Sequence, residues 1–192
     1  MRIIAGTARG RRLAAPARTK GKPPIRPTAD RAREALFSIL GPAVAGARVL
    51  DLFAGTGALG LEALSRGAAY AVFVDRNREA VALIRENIRL CGFDDRALLI
   101  QRDLAKGLGF LAELAAPDFS LVFFDPPYGT GMAARLVVEL KKGKGLATGA
   151  IVVAEDAPGE ELPQASGTLR LFDRRRYGDT GFWLYHREEI LR

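Results

Sequence analysis

Apolar residues in this chain fall into two alternating patterns, and the alternation points to a fold before any single residue is considered. Arg48 to Phe53, Tyr70 to Asp75, Ala97 to Gln101, Phe119 to Phe124 and Ile151 to Glu155 are short runs that are apolar at nearly every position. Such runs are the signature of parallel strands buried on both faces. Between them, Leu59, Leu61, Ala63 and Leu64 recur at helical spacing in Gly57 to Arg66, and Ala80, Val81, Ile84 and Ile88 in Asn77 to Leu90, with Gly92 as the stop signal. Leu104 to Ala115 reads as helical despite Gly107 and Gly109, and Met132 to Leu140 as a further helix before a basic glycine-containing loop, Lys141 to Thr148. Upstream, Ala32, Ala35, Leu36, Ile39 and Leu40 keep the same spacing behind an N-cap at Thr28, and the helix ends at Gly41-Pro42. Leu169 to Arg174 and Phe182 to His186 pair as a terminal antiparallel hairpin. Strands and helices alternating in this way predict an α/β, doubly wound, mostly parallel sheet with right-handed crossovers and ligands at the carboxyl ends of the strands.

The stretch from Val49 to Glu62 organises the chain: a buried strand, a glycine turn and a helix. Gly55-x-Gly57-x-x-Gly60 matches the dinucleotide fingerprint, and Asp75 closes the next strand where a ribose-binding acid belongs. Asp51 alters that reading, because a carboxylate just before the loop repels a pyrophosphate on the helix N-terminus and attracts a cation. S-adenosylmethionine carries a sulfonium, an ammonium and a ribose. Asp51 near its charged end and Asp75 on its hydroxyls form a sensible pair, and a nicotinamide dinucleotide is the competing ligand.

The fourth run leads into Asp125-Pro126-Pro127-Tyr128-Gly129. Two prolines neither continue a strand nor start freely into a helix, so they hold a rigid turn in which the Asp125 carboxylate and the Pro126 carbonyl can face the cleft together. Both are acceptors without donors, matched to the two N–H donors of an exocyclic base amine. Tyr128 offers a ring on which a base can stack.

Composition adds the partner. The 192 residues carry 48% hydrophobic residues and a net charge of +7, with an isoelectric point near 10.0, which favours a polyanion. Ten of the basic residues lie between Arg2 and Arg33 with Asp30 as the sole acid. Residues 1–27 therefore read as a basic arm, a short strand from Arg2 to Ala5 and then an extended loop through Pro23-Pro24, with a solvated tail as the alternative. Ile3, Ile4, Leu13 and Ile25 offer it anchors. Arg9, Arg11, Arg12, Arg26 and Arg31 are its candidate nucleic-acid contacts, and Arg174, Arg175 and Arg176, read as the turn region of the hairpin, form a second set. Residues 28–192 form the second region. One cysteine, Cys91, excludes an internal disulfide, and one histidine, His186, argues against a metal cluster. With no apolar run of the ~18 residues that span a bilayer and no signal-peptide core, the expectation is a cytoplasmic protein.

Asp51-x-Phe53-x-Gly55-x-Gly57, Asp75, Asp103 and Asp125-Pro126-Pro127-Tyr128 resemble the ordered motifs of class I methyltransferases that act on amines with S-adenosylmethionine. Met1-Arg2-Ile3-Ile4-Ala5-Gly6, Arg26-Pro27-Thr28-x-Asp30-Arg31-x-Arg33-Glu34-x-Leu36-Phe37, Gly57 to Arg66 and Tyr177-Gly178-Asp179-Thr180 narrow the likeness. Over nearly the whole chain it resembles the RsmD family, bacterial small-subunit rRNA guanine-N2 methyltransferases. The resemblance implies a seven-stranded doubly wound sheet, S-adenosylmethionine as methyl donor, and a guanine of 16S rRNA as substrate. The expected partner is rRNA within a small-subunit particle or assembly intermediate, and the expected state a monomer. The resemblance also implies that Asp51, Phe53, Gly55 and Gly57 line the cofactor loop, Asp75 the ribose, Asp103 the adenine and Asp125 to Tyr128 the target amine. Ala54, Thr56, Arg76 and Leu104, beside them in sequence, complete the expected cofactor set. Family members often carry phenylalanine after the paired prolines, whereas Tyr128 is typical of adenine-N6 enzymes. The alternatives are therefore a DNA or RNA adenine-N6 methyltransferase, or an RNA-binding assembly factor that holds the cofactor without turnover.

Overall fold

The computed structural model describes residues 1–16, 27–114, 118–140 and 145–189. Eight strands form one sheet in the order β3-β2-β1-β4-β5-β8-β7-β6. Strands β1 (Arg48–Leu52), β2 (Tyr70–Asp75), β3 (Ala97–Gln101), β4 (Phe119–Phe124) and β5 (Leu146–Asp156) run parallel. Strands β6 (Ala165–Ser166), β7 (Leu169–Tyr177) and β8 (Thr180–Arg187) add the antiparallel edge. The eighth strand is the two-residue β6, which no periodicity could announce.

Chain order reverses between β1 and β4, the topological switch point at which open α/β sheets bind ligands. Helices α1 (Pro27–Leu40), α2 (Ala58–Ser65) and α3 (Arg78–Cys91) pack on one face, where Leu36, Phe37, Leu61, Leu64 and Ile84 meet Val49, Phe73, Leu121 and Phe123. Helix α4 (Met132–Leu140) buries Leu136 and Val137 with Leu50, Val122 and Trp183 on the other. Side chains alternate across each strand, so a strand between two helical layers is apolar at successive positions, as the sequence showed.

Several sequence expectations are corrected. Of the helix expected from Leu104 to Ala115, the described residues 104–114 form instead two 3-10 turns, Leu104–Lys106 and Gly109–Glu113. Gly107 at φ 88° ends the first of them, a conformation that stops a helix and suits glycine. Strand β5 begins at Leu146 and takes in the end of the expected loop. Strand β7 runs on to Tyr177, so Arg174, Arg175 and Arg176 lie on a strand, and the turn is Gly178-Asp179. Helix α1 starts at Pro27, one residue before the expected cap at Thr28, with proline at the helix start, where its missing N–H costs nothing. The expected strand from Arg2 to Ala5 is reduced to a single bridge between Arg2 and Arg12. Arg26, Ile25 and the Pro23-Pro24 loop lie outside the described residues, as do 115–117 and 141–144.

The first sixteen residues are packed against the helical layer. Ile3, Ala8 and Leu13 are buried in the same core as α1 and α2. Glu62 of α2, wholly buried, accepts the amides of Ile4 at 2.8 Å and Ala5 at 3.0 Å. The Ser65 hydroxyl donates to Ala5 O at 2.5 Å and accepts the Ala8 amide at 2.9 Å. Gly6, at φ 82°, comes so close to Ser65 that an added Cβ would lie 1.8 Å from its carbonyl oxygen. Further along, Asn87 of α3 exchanges hydrogen bonds with the backbone of Ala14.

Candidate active site

The carboxyl ends of β1, β2, β4 and β5 each present an acid or open onto one. Asp51 is the penultimate residue of β1, buried, with Oδ2 accepting the Gly60 amide at 2.9 Å. Gly60 has to be glycine: a Cβ there would lie 2.4 Å from the Phe73 ring and 3.1 Å from Asp51. This close approach of α2 to the sheet is what lets the helix backbone reach the carboxylate. Burial raises the Asp51 carboxyl to about 7, against the pull of the Gly60 amide and with a push from Asp75.

The chain leaves β1 through Phe53, whose φ of 57° is the only positive value for a residue other than glycine among the described residues. Such backbone strain recurs at ligand sites. Gly55 and Gly57 follow in left-handed conformations, φ 59° and 76°, and turn the chain into α2. Asp75 braces this loop: Oδ2 accepts the Gly55 amide and Oδ1 the Asn77 amide, both at 2.9 Å. A carboxylate oxygen has two lone pairs, so each keeps one for a ligand hydroxyl.

Asp125 follows β4 at the mouth of the cleft. Its side chain is exposed at the rim, and its carboxyl is held above the usual carboxylate range, first by the protein on its inner side, then by the charges of Glu155, Asp51 and Asp156. Tyr128 is 44% exposed, and its hydroxyl donates to Glu155 Oε1 at 2.8 Å, with Thr180 Oγ1 at 3.5 Å. Burial also pushes the Glu155 carboxyl up, with the hydrogen bonds of Tyr128 and Thr180 acting against it.

Two adjoining cavities join these groups. One, of about 200 Å³, is lined among others by Asp51, Phe53, Ala54, Gly55, Thr56, Asp125 and Glu155. The other, of about 460 Å³, is lined by Phe53, Asp75, Arg76, Asn77, Asp125, Pro126, Pro127 and Tyr128. The expected cofactor loop and the expected amine site thus share walls, with Phe53 and Asp125 common to both. Asp103 and Leu104 line neither: Asp103 accepts the Ala105 amide at 3.0 Å as the cap of its 3-10 turn, and Leu104 is buried in the core. Gly57 is likewise buried, shaping the loop from beneath.

The sequence reading missed Glu155, Thr180, Met1 and Arg33, which also line the inner cavity. Glu155 had a signal, since it ends an apolar parallel strand as Asp75 does. Thr180 belonged to a quoted motif without a role. Met1 approaches Thr56 Oγ1 with its sulfur at 3.5 Å, a contact no local pattern encodes. Arg33, buried, is held by Asp30 at 3.2 Å, Glu62 at 3.8 Å and the Arg2 carbonyl at 2.5 Å, so its charge is already matched within the wall.

The candidate nucleic-acid residues divide. Arg9 and Arg31 border a groove of about 360 Å³ with Arg2, Asp30 and Glu34. Arg12 is exposed beside it. Arg11 instead donates to Leu90 O at 2.5 Å, near the end of α3. On β7, Arg174 bonds Pro158 O and Glu160 O and lies over the Trp183 ring, and Arg175 pairs with Asp173 at 2.9 Å. Arg176 borders a depression of about 630 Å³ with Tyr128, Pro158 and Asp179. Among the described residues no cluster of His, Cys, Asp and Glu could hold a metal ion, and no helix is long and apolar enough to cross a membrane.

A family profile described as "Conserved hypothetical protein 95" matches residues 1–186. The chain belongs to this family, the RsmD family. It is 35% identical to ribosomal RNA small subunit methyltransferase D of Escherichia coli over 98% of its own length and 90% of that protein. The solved structure of the Escherichia coli protein YhhF, 32% identical, superposes with a TM-score of 0.80 over 98% of both chains. An RNA methyltransferase from Salinibacter ruber, solved with S-adenosyl-L-homocysteine, shares the fold at a TM-score of 0.59 and 19% identity, over 89% of this chain and 97% of that one.

Proposed function

We propose that this protein transfers the methyl group of S-adenosylmethionine to the exocyclic N2 amine of a guanine in small-subunit rRNA. The observation that carries this reading is that the loop suited to the donor and the carboxylate suited to the accepting amine line one cavity. The cavity's chemistry fits the donor, because Asp51, Asp125 and Glu155 converge in it and Arg33, the one arginine among the described residues of its wall, is matched by Asp30 and Glu62. The relative named as a small-subunit rRNA methyltransferase supports the same substrate class.

When bound, the cofactor supplies an electrophilic methyl group on a sulfonium. Asp51 and its neighbours offset that positive charge, and the two free lone pairs of Asp75 accept ribose hydroxyls. Asp125 holds the amine in line and takes the proton the nitrogen must lose, a task to which its raised carboxyl is suited. Tyr128 gives the base a face to stack on, worth about 1–3 kcal/mol. Positioning and charge complementarity supply most of the acceleration, and no covalent enzyme intermediate is needed. The enzyme acts as a monomer on rRNA within a small-subunit particle or assembly intermediate.

The test is transfer of tritiated methyl to small-subunit particles from cells lacking the endogenous activity, followed by nucleoside identification. N2-methylguanine is the expected product. Label in N6-methyladenine would overturn the base assignment, and cofactor binding without label transfer would return the protein to an assembly role.

A further inference from the structure

Glu155 has no assigned part in the reaction, yet its position bears on the identity of the base. The parallel register of β4 and β5 pairs Phe124 with Ala154. Asp125, the first residue beyond β4, and Glu155, still within β5 and paired with Phe182 of β8, therefore follow that register pair directly on adjacent strands. Both line the cavity of about 200 Å³ with Asp51 and Phe53. The following residue, Asp156, is buried and accepts the Ala157 amide at 2.7 Å. Glu155 Oε1 accepts the Tyr128 hydroxyl, which fixes the carboxylate from the outer side.

An amine held by Asp125 is not an isolated group. In guanine the N2 amine adjoins the ring N1–H, a second donor on the same edge, whereas in adenine the N6 amine adjoins an N1 lone pair. A carboxylate next to Asp125 meets a donor in the first case and an acceptor in the second. We propose that Glu155 selects guanine, its carboxylate accepting the ring N1–H while Asp125 holds the N2 amine. The proposal rests on the methyltransferase reading and goes beyond it, assigning base choice to a residue outside the Asp125-Pro126-Pro127-Tyr128 motif. It also removes the conflict raised by Tyr128: the tyrosine orients Glu155 and need not signal adenine. A site built to bond an N–H rejects an analogue lacking it strongly, because its own buried acceptor is left unpaired.

The probe is 2-aminopurine, which keeps the 2-amine, carries a lone pair at N1 in place of N–H and lacks the 6-carbonyl, so the N1 contact is read from the change between the unaltered protein and Glu155→Gln. Small-subunit particles are reconstituted with rRNA carrying guanine or 2-aminopurine at the nucleotide that the unaltered protein methylates. The unaltered protein is expected to favour guanine by about 10²-fold or more in kcat/KM. In Glu155→Gln the amide can turn its N–H toward the 2-aminopurine N1. The preference is then expected to fall to within about threefold, with slower transfer to guanine and faster transfer to 2-aminopurine. Tyr128→Phe, which keeps the stacking ring and the carboxylate but removes the hydroxyl that orients it, should lose part of the preference, less than Glu155→Gln does. An unchanged preference in a folded, cofactor-binding Glu155→Gln protein would overturn the proposal and leave the methyltransferase reading standing. Failure of the unaltered protein to methylate any guanine would overturn both.

Discussion

Glu62 and Ile4, 58 residues apart, are joined by a 2.8 Å hydrogen bond from the Ile4 amide to a wholly buried carboxylate. The same carboxylate accepts the Ala5 amide and pairs with Arg66 at 2.7 Å and Arg33 at 3.8 Å. The N-terminal segment is thus clasped to α2 by one acid.

Glu62→Ala should therefore act at a distance from its own helix. Removing one partner of a buried charged network costs about 3–5 kcal/mol, because the others lose their bonds without regaining water. For a chain of this size that lowers the melting temperature by roughly 6–20 °C. Hydrogen exchange should quicken at Ile4 and Ala5, and cofactor affinity should fall, since Met1 and Arg33 wall the inner cavity. Melting, exchange and calorimetric titration of one sample check all three. A near-normal melt with full protection of those amides would refute the clasp.

Asp51→Asn should stabilise the protein and weaken cofactor binding. The folded carboxyl sits at about 7 against an ordinary value of 3.8, so the folded state holds the proton more tightly than the unfolded one. Stability from this group is full below about pH 4 and lost as pH rises toward 7. The variant lacks the penalty. Its stability advantage should widen between pH 4 and pH 7, reaching roughly 4 kcal/mol, and stay level above pH 8, with the melting temperature following. For the unaltered protein, binding a cation favours the ionised acids, so S-adenosylmethionine should release protons on binding and bind more tightly at pH 8 than at pH 6. Titration in buffers of different ionisation enthalpy reads the protons directly.

Asp125→Ala should separate binding from chemistry. Cofactor affinity should stay within about threefold while single-turnover methyl transfer slows by ~10² or more, since the lost contact is made to the reacting amine. Normal single-turnover transfer would place the acceptor elsewhere.

The arginines should sort by their protein partners. Arg9→Ala with Arg31→Ala removes two exposed charges from the groove and should flatten the slope of log affinity for rRNA against log salt by about 0.7–0.9 per contact. Arg174→Ala breaks two carbonyl bonds and the contact with Trp183, so it should cost about 1 kcal/mol of stability and leave the salt slope unchanged. A salt series beside a thermal melt distinguishes the two effects.

The parallel core was legible because β1, β2 and β4 are buried on both faces and their hydrophobicity is written contiguously. Asp51, Asp75 and Asp125 were legible for the same reason, each an acid interrupting or ending an apolar run. Glu62 was not: an acid between Leu61 and Ala63 in a helix reads as a solvent-facing residue, and only partners 57 and 58 residues away make it interior. Arg174, Arg175 and Arg176 read as a turn because three charges in succession disfavour a strand. They sit in one because β7 lies near the edge of the sheet, with much of its length exposed. Gly107 carried a usable warning, outvoted by the apolar spacing of its neighbours.

The inner cavity draws its walls from Met1 at one end of the chain and from Thr180 and Phe182 near the other. During synthesis Met1 and its neighbours leave the ribosome with nothing to grip, since Glu62 and Asn87 are still to be made. The strands β1 to β4 can assemble before β8 exists, but they enclose no such chamber. The inner chamber is therefore completed late in folding, after the loop of Gly55 and Gly57 and the outer cavity that Asp75 lines have already formed.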